Sequence, residues 1–229
     1  MAEAYLIDVV RLASGKGKPG GALSGTHPAV LLSHVLTALT ERTGVDPARV
    51  EDVITGCVQQ VGEQAMNIGR TALLGAGFPD SVPAVSINRQ CGSSQQAVDF
   101  AAQAVMSGSA DVVIACGVES MSRVPMGAST LGVDTDGPEV AARYPEGLVN
   151  QGVSAELVAQ RWKLERDELD AFSAESHRRA AAATESGFFD GEVVPIDVTL
   201  PDGTTLTHRV DETIRAATSA DGLVDAVGE

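Results

Sequence analysis

The chain has 229 residues, with 31 acidic against 16 basic side chains for a net charge of −15, and 44% of its residues are hydrophobic. The acidic excess argues against a nucleic-acid or anionic-membrane partner, because both need clustered Lys and Arg. The hydrophobic content excludes a disordered chain, and no apolar run reaches the ~18 residues of a membrane span. Three cysteines without paired spacing fit a reducing, cytoplasmic setting and single-thiol roles, not a disulfide framework or a metal site. Residues 1–10 carry Glu3 and Asp8 and no basic stretch, so they do not read as a secretory signal.

In chain order, Tyr5 to Val10 reads as a first strand and Ser14 to Gly25 as a solvated loop rich in Gly and Lys. His27-Pro28 opens a helix with Val30, Leu31, Val35 and Leu39 at helical spacing, and Gly44 stops it. Asp46-Pro47 starts a short turn of helix. Val53 to Val58 is a strand, Asn67 to Leu74 a short helix, and Val82 to Ile87 another strand. Cys91 to Ser107 is a helix closed by Gly108. Asp111 to Val118 is an almost continuous apolar strand, buried on both faces as parallel strands are. This alternation predicts an α/β layered fold around a mostly parallel sheet with helices on both sides. Ser122 to Gly152 is irregular. Ser154 to Trp162 and Arg166 to Ser186 are helices, with Trp162 packing inward. Two strands, Val193 to Leu200 and Thr204 to Val210, flank the turn Pro201-Asp202-Gly203. The organisation expected is a core domain over 1–121, a small helical loop domain over 122–215 and an irregular tail over 216–229.

The cysteines differ. Cys57 and Cys116 lie in apolar strands and read as small buried hydrophobes. Cys91 follows a strand and stands at the first turn of a helix, ahead of Gly92-Ser93-Ser94. There the helix dipole and backbone N–H groups favour the thiolate, and strand-to-helix turns are where open α/β sheets bind ligands. From these features alone Cys91 is either a nucleophile or a cysteine that merely occupies the helix start.

The stretch Asn88-Arg89-Gln90-Cys91-Gly92-Ser93-Ser94-Gln95-Gln96-Ala97 resembles the active-site motif of thiolases, the acyltransferases that make or break 3-ketoacyl-CoA. Gly117-Val118-Glu119-Ser120-Met121-Ser122 is similar to the family's second hallmark. Gly62 to Arg70 resembles its dimer-interface segment. The Val10-Arg11 loop, the Phe172 to Ala180 helix and Gly187-Phe188-Phe189 with Glu192 to Ile196 also fit. The likeness covers about residues 5 to 215 and identifies the chain as a member of that family, carrying the N-terminal core domain and the loop domain. A ketoacyl synthase is a poorer match, since those enzymes usually show Cys-Ser-Ser after an acidic or Thr-Ala stretch.

The resemblance implies that Cys91 takes an acyl group from a 3-ketoacyl-CoA and hands it to free CoA, in thiolysis or in the reverse condensation. The N–H of Cys91 would help hold the oxyanion. It implies CoA and acyl-CoA as substrates, with no permanently bound cofactor or metal. Arg215 corresponds to the loop-domain Arg near the adenosine. Asn150, in Asn150-Gln151-Gly152, stands where short-chain enzymes carry a His by the CoA site, which argues against acetoacetyl-CoA as substrate. The Gln-rich form Gln95-Gln96 is more like degradative thiolases. The family's base and second acid, a Gly-His-Pro segment and a Gly-rich Cys, belong to a C-terminal half. None of His27, His34, His177 or His208 has that setting, and each reads as structural or solvated. A further strand and helix should also follow to complete the core domain. The chain is therefore expected to be inactive alone, and to pair with itself or with a C-terminal half. Its alternative is a non-catalytic acyl-CoA-binding or scaffold half. Lys16 and Lys18 lack a phosphate-loop pattern. Met121 and Met126 suit either an acyl pocket or packing.

Overall fold

The computed structural model describes residues 3–200 and 202–225. Local chemistry starts and stops the elements that frame the site. In α1 (Pro28–Thr43), His27 Nδ1 accepts the Ala29 N–H at 3.1 Å, and Gly44 ends the helix at φ 67°. That left-handed backbone is one glycine adopts without a Cβ penalty. Asp46 caps a single 3₁₀ turn, Pro47–Arg49. Strand β1 (Asp52–Gly56) leads to α2 (Ile68–Gly75), where the Asn67 side chain accepts the Arg70 N–H at 3.1 Å. Then follow β2 (Ala84–Ile87), α3 (Ser93–Ser107) and β3 (Val113–Gly117).

The three strands form a parallel sheet in the order β2–β1–β3, with Thr55 opposite Ser86 on one side and Cys116 on the other. Successive β1 side chains point to opposite faces. On one face, Val53 meets Ala72 and Leu73 of α2 and Leu32 and Leu36 of α1 in the main core. On the other, Gly56 lies against the start of α3. Helices thus cover both faces, and the α/β layered architecture expected from the sequence is present. Leu32 and Leu36 carry the buried side of α1, whereas Val30 is exposed.

Two strand expectations need correction. Residues 5–10 pair in no ladder among the described residues, and Tyr5, Leu6, Ile7 and Val9 are exposed. A strand exists by pairing, and the only bridge here is the parallel one from Arg11 to Val193. In strand β3 only Ile114 is buried, so the strand is not buried on both faces; it stands at the sheet's edge with one neighbour among the described residues.

The segment before Pro201 forms β4 (Ile196–Thr199), antiparallel to β5 (Thr205–His208). The turn between them, expected at 201–203, has Pro201 outside the described residues. Ile196 and Val198 bury against Leu31 of α1. Arg11 ties the hairpin to the N-terminal segment through Glu192 (2.7 Å) and Asp211 (2.8 Å). The early loop is tied rather than freely solvated: the Lys16 and Ala22 N–H groups donate to Glu212 Oε2, and the Ser14 N–H to Asp211 Oδ1. Partial burial pushes both carboxyls up, but the Arg11 and Ser14 donors at Asp211, and the Lys16 and Ala22 N–H groups at Glu212, outweigh it and hold both below the ordinary range.

The chain divides into two compact units, residues 1–131 with 190–213, and residues 132–189 with 214–229. These bounds differ from the domain limits drawn from the sequence at 121/122 and 215/216, because the hairpin's apolar side packs on α1. The second unit holds α4 (Gly137–Arg143), α5 (Gln151–Trp162), α6 (Arg166–Glu185) and α7 (Ala220–Asp225). The stretch 122–152 is thus not wholly irregular, and a short helix replaces part of the expected tail, whose residues 226–229 lie outside the described ones. Trp162 does not pack inward. It is 62% exposed beneath the Arg161 guanidinium, on a helix with no buried residue.

Candidate active site

Cys91 lies in the turn between β2 and α3, and its thiol is exposed. The helix proper begins two residues later than the sequence suggests, with Gly92 as N-cap. The turn is strained. Gln90 sits at φ 49°, a left-handed conformation that costs a non-glycine residue about 1–2 kcal/mol. Such strain persists where neighbours over-determine it. Ser93 supplies one constraint: its buried hydroxyl accepts the Arg89 N–H at 2.9 Å and donates to the Gln90 carbonyl at 2.6 Å.

A floor of two glycines sets the height of the turn above the sheet. A Cβ on Gly56 would meet the Ser94 nitrogen at 2.5 Å, and one on Gly117 would meet Ser94 Oγ at 2.0 Å and the Gly56 carbonyl at 3.0 Å. Gly56 and Gly117 are paired at the C-terminal ends of β1 and β3. The start of α3 therefore rests directly on adjacent strand ends, the edge where open parallel sheets carry their sites. Gly92 differs: its φ is −91° and the nearest atom to an added Cβ lies at 3.4 Å. Neither conformation nor packing within the chain demands glycine there, and a small residue leaves room for a group arriving from outside.

The other thiols are of another kind. Burial, with the Glu119 carboxylate nearby, pushes Cys57 up to about 12. Burial pushes Cys116 up to about 11, partly offset by the Thr55 hydroxyl 3.2 Å away. Both stay protonated at neutral pH. All four histidines have structural partners. His27 caps α1. His34 Nε2 meets the Pro195 carbonyl at 2.9 Å, and buried His208 meets the Ala13 carbonyl at 3.0 Å. His177 Nδ1 accepts the Arg215 N–H at 3.2 Å.

Arg215 and Asn150 belong to the second unit, Cys91 to the first. Arg215 is exposed, and its guanidinium joins no ion pair among the described residues. Asn150 is the N-cap of α5, its Oδ1 accepting the Val153 N–H at 3.0 Å. That unit also carries an open, largely apolar groove of about 450 Å³ lined by Ala155, Val158, Leu164 and Leu169. Met121 packs by Gly17, and Met126 is 78% exposed. No cluster of three or more His, Cys, Asp or Glu among the described residues is placed to hold a metal ion, and no described helix is long and apolar enough to cross a membrane.

Sequence reasoning missed the glycine floor and the Ser93 clamp. An isolated glycine at the end of an apolar strand, as at Gly56 and Gly117, signals a close backbone approach and was the available cue.

Fold and site together define an α/β domain that presents one accessible cysteine at a helix start above the C-terminal edge of a parallel sheet. The model of the thiolase N-terminal domain matches residues 4–227, so the chain belongs to the thiolase family. It is 45% identical over 205 residues to a steroid 3-ketoacyl-CoA thiolase of Mycobacterium tuberculosis, covering 86% of this chain and 50% of that protein. It is 39% identical over 219 residues to a 3-ketoacyl-CoA thiolase of Pseudoalteromonas translucida, covering 95% of this chain and 55% of that one. The crystal structure of the Bacillus anthracis acetyl-CoA acetyltransferase superposes with a TM-score of 0.80 at 34% identity, over 97% of this chain and 58% of that chain. The chain spans about half the length of the curated relatives it matches.

Proposed function

We propose that the chain is the nucleophile-bearing half of a thiolase-type acyltransferase acting on acyl-CoA. The observation that carries the reading is Cys91, exposed on a clamped, left-handed turn above the Gly56–Gly117 floor. In the degradative direction the Cys91 thiolate attacks the 3-keto carbonyl of a 3-ketoacyl-CoA. The carbon–carbon bond to the acetyl portion breaks, the departing carbanion takes a proton to give acetyl-CoA, and the acyl group stays on Sγ. The thiol of free CoA then takes the acyl group and restores Cys91. Each step needs a proton donor or acceptor. The histidines of this chain are engaged elsewhere and Cys57 and Cys116 remain protonated, so turnover needs the remainder of the family's length.

Arg215, exposed and outside any described ion pair, suits the phosphorylated adenosine of CoA, and Asn150 lies at the start of the α5 segment that lines the apolar groove. CoA is a substrate here, with no resident cofactor. Val98, Phe100 and Met106 on α3 are exposed at 46%, 40% and 50%. Apolar side chains on so central a helix suit a covering partner, either a second copy or a chain carrying the other half. Three unpaired thiols suit the cytoplasm.

The test is mass spectrometry of the Cys91 peptide after incubation with a 3-ketoacyl-CoA and with acetyl-CoA. An acyl adduct that disappears in Cys91→Ala supports the reading. No adduct, with or without the C-terminal half of a relative supplied in trans, overturns it.

A further inference from the structure

The Cys91 turn is held from outside as well as by Ser93. Asn88 Nδ2 donates to the Val58 carbonyl at 3.1 Å, and Asn88 Oδ1 accepts the Gln90 N–H at 2.8 Å. One side chain therefore grips the strained residue and ties it to the segment after β1. That segment is anchored in turn. The Val58 N–H donates to Glu119 Oε2 at 2.7 Å, and Glu119 Oε1 accepts from the Gln59 N–H at 3.3 Å and from Gln64 Nε2 at 2.8 Å. Gln64 is fully buried, and its Oε1 accepts the Ser120 N–H at 2.7 Å, so the anchor reaches the chain just past β3. Val58 is thus fixed at both its N–H and its carbonyl, by Glu119 on one side and Asn88 on the other.

We propose that Asn88 is the positioning residue of the Cys91 turn, and that Glu119 acts on it through Val58. The argument is geometric. A left-handed Gln90 reverts to an ordinary conformation unless its neighbours hold it. Ser93 ties the turn to its own helix. Asn88 ties it to the segment after β1, by fixing Gln90 to Val58. Glu119, with both oxygens engaged by three donors, serves as the anchor of this relay and not as a proton carrier. The proposal rests on reading Cys91 as the acyl-accepting nucleophile. The position of the thiol at the helix end is what the relay secures.

The experiment uses the full chain and the variants Asn88→Ala, Asn88→Asp, Glu119→Ala and the double Asn88→Ala/Glu119→Ala. The readout is the second-order rate of Cys91 alkylation by iodoacetamide at one pH, followed on the Cys91 peptide, beside a thermal melt. Loss of the fixed place at the helix end lowers the rate about threefold in Asn88→Ala, the size of a helix-end effect. Asn88→Asp keeps the acceptor for Gln90 but loses the donor to Val58 and adds a negative charge near the thiol, so its rate also falls below the parent's. Glu119→Ala also slows the reaction. The double variant falls no further than Asn88→Ala, because both residues act through one link. Melting stays near that of the parent in Asn88→Ala, which separates positioning from general destabilisation. If Glu119→Ala does not fold, Glu119→Gln, which keeps one carbonyl acceptor, takes its place in the cycle. Equal rates in the parent and Asn88→Ala overturn the proposal, and so do effects that multiply in the double variant. Acylation of Cys91 by acyl-CoA is scored separately. Its absence, with the alkylation rates changed as stated, removes the nucleophile reading and leaves the relay standing.

Discussion

Gly56→Ala tests the glycine floor directly. The added methyl would lie 2.5 Å from the Ser94 nitrogen and 2.7 Å from the Ser93 carbonyl carbon, whereas ordinary contact begins at 3.4 Å. These are backbone atoms, so no rotamer change relieves the clash. The start of α3 must rise by about 0.9 Å, the shortfall between ordinary contact and the clash. Overpacking of this kind costs about 1–3 kcal/mol, and the stiffer unfolded chain of alanine returns about 0.4–1 kcal/mol. The net loss is roughly 1–2 kcal/mol, or about 2–8 °C in Tm for a chain of this size. The same rise misplaces Cys91, and a shift near 1 Å costs on the order of 100-fold in a positioned reaction. Differential scanning calorimetry reads the first effect, and the rate of Cys91 acylation in the assembled enzyme reads the second. Gly92→Ala is the control for the melt alone, since its methyl meets nothing nearer than 3.4 Å within the chain and its φ suits any residue. A Gly56→Ala chain that melts with the parent, or that is more stable than Gly92→Ala, would refute the floor.

Three further outcomes follow from the same structure. At pH 8 iodoacetamide modifies Cys91 and spares Cys57 and Cys116, whose thiols burial pushes up to about 12 and about 11; a peptide map with equal labelling at all three contradicts the burial argument. Asp211 and Glu212 have folded-state carboxyls below their ordinary values, so their contribution is complete above about pH 4.5 and is lost as pH falls through the depressed range. Denaturant titrations from pH 6 to pH 3 should show this contribution level down to about pH 4.5 and stability declining below it, and Asp211→Asn should flatten the decline; an unchanged slope in the variant rejects the assignment. Leu36→Ala empties a site that is 1% exposed in the main core and should cost about 2–5 kcal/mol, measured by urea unfolding. A loss under about 1 kcal/mol places that helix face outside the core.

The elements that frame the candidate site were legible because their signals are local. His27-Pro28 and Gly44 mark both ends of α1, and Cys91 between an apolar strand and an amphipathic helix marks the turn. What was not legible depends on partners far away in sequence. Tyr5 to Val10 has the composition of a strand, but composition supplies no neighbour, and the segment stays unpaired. The β4–β5 hairpin was visible as a hairpin. Its attachment to α1 was not, because Ile196 and Val198 carry no mark of which surface they will cover. Trp162 looked like a packing residue by type, yet its helix buries nothing. The glycine floor was written as two single residues whose meaning appears only when two strand ends and a helix start meet.

The first unit is discontinuous, and this sets an order on its assembly. Ser14 finds Asp211 across 197 positions of chain, and Arg11 finds Glu192 across 181. During synthesis the sheet and its helices leave the ribosome first, and the Leu31 side of α1 waits uncovered until the hairpin emerges. At about 5–20 residues per second that wait lasts roughly ten to thirty seconds, far longer than a helix or small sheet needs to form. Docking of the hairpin therefore follows the sheet, and a ribosome paused within residues 132–189 would hold that sheet with the Leu31 flank of α1 still uncovered.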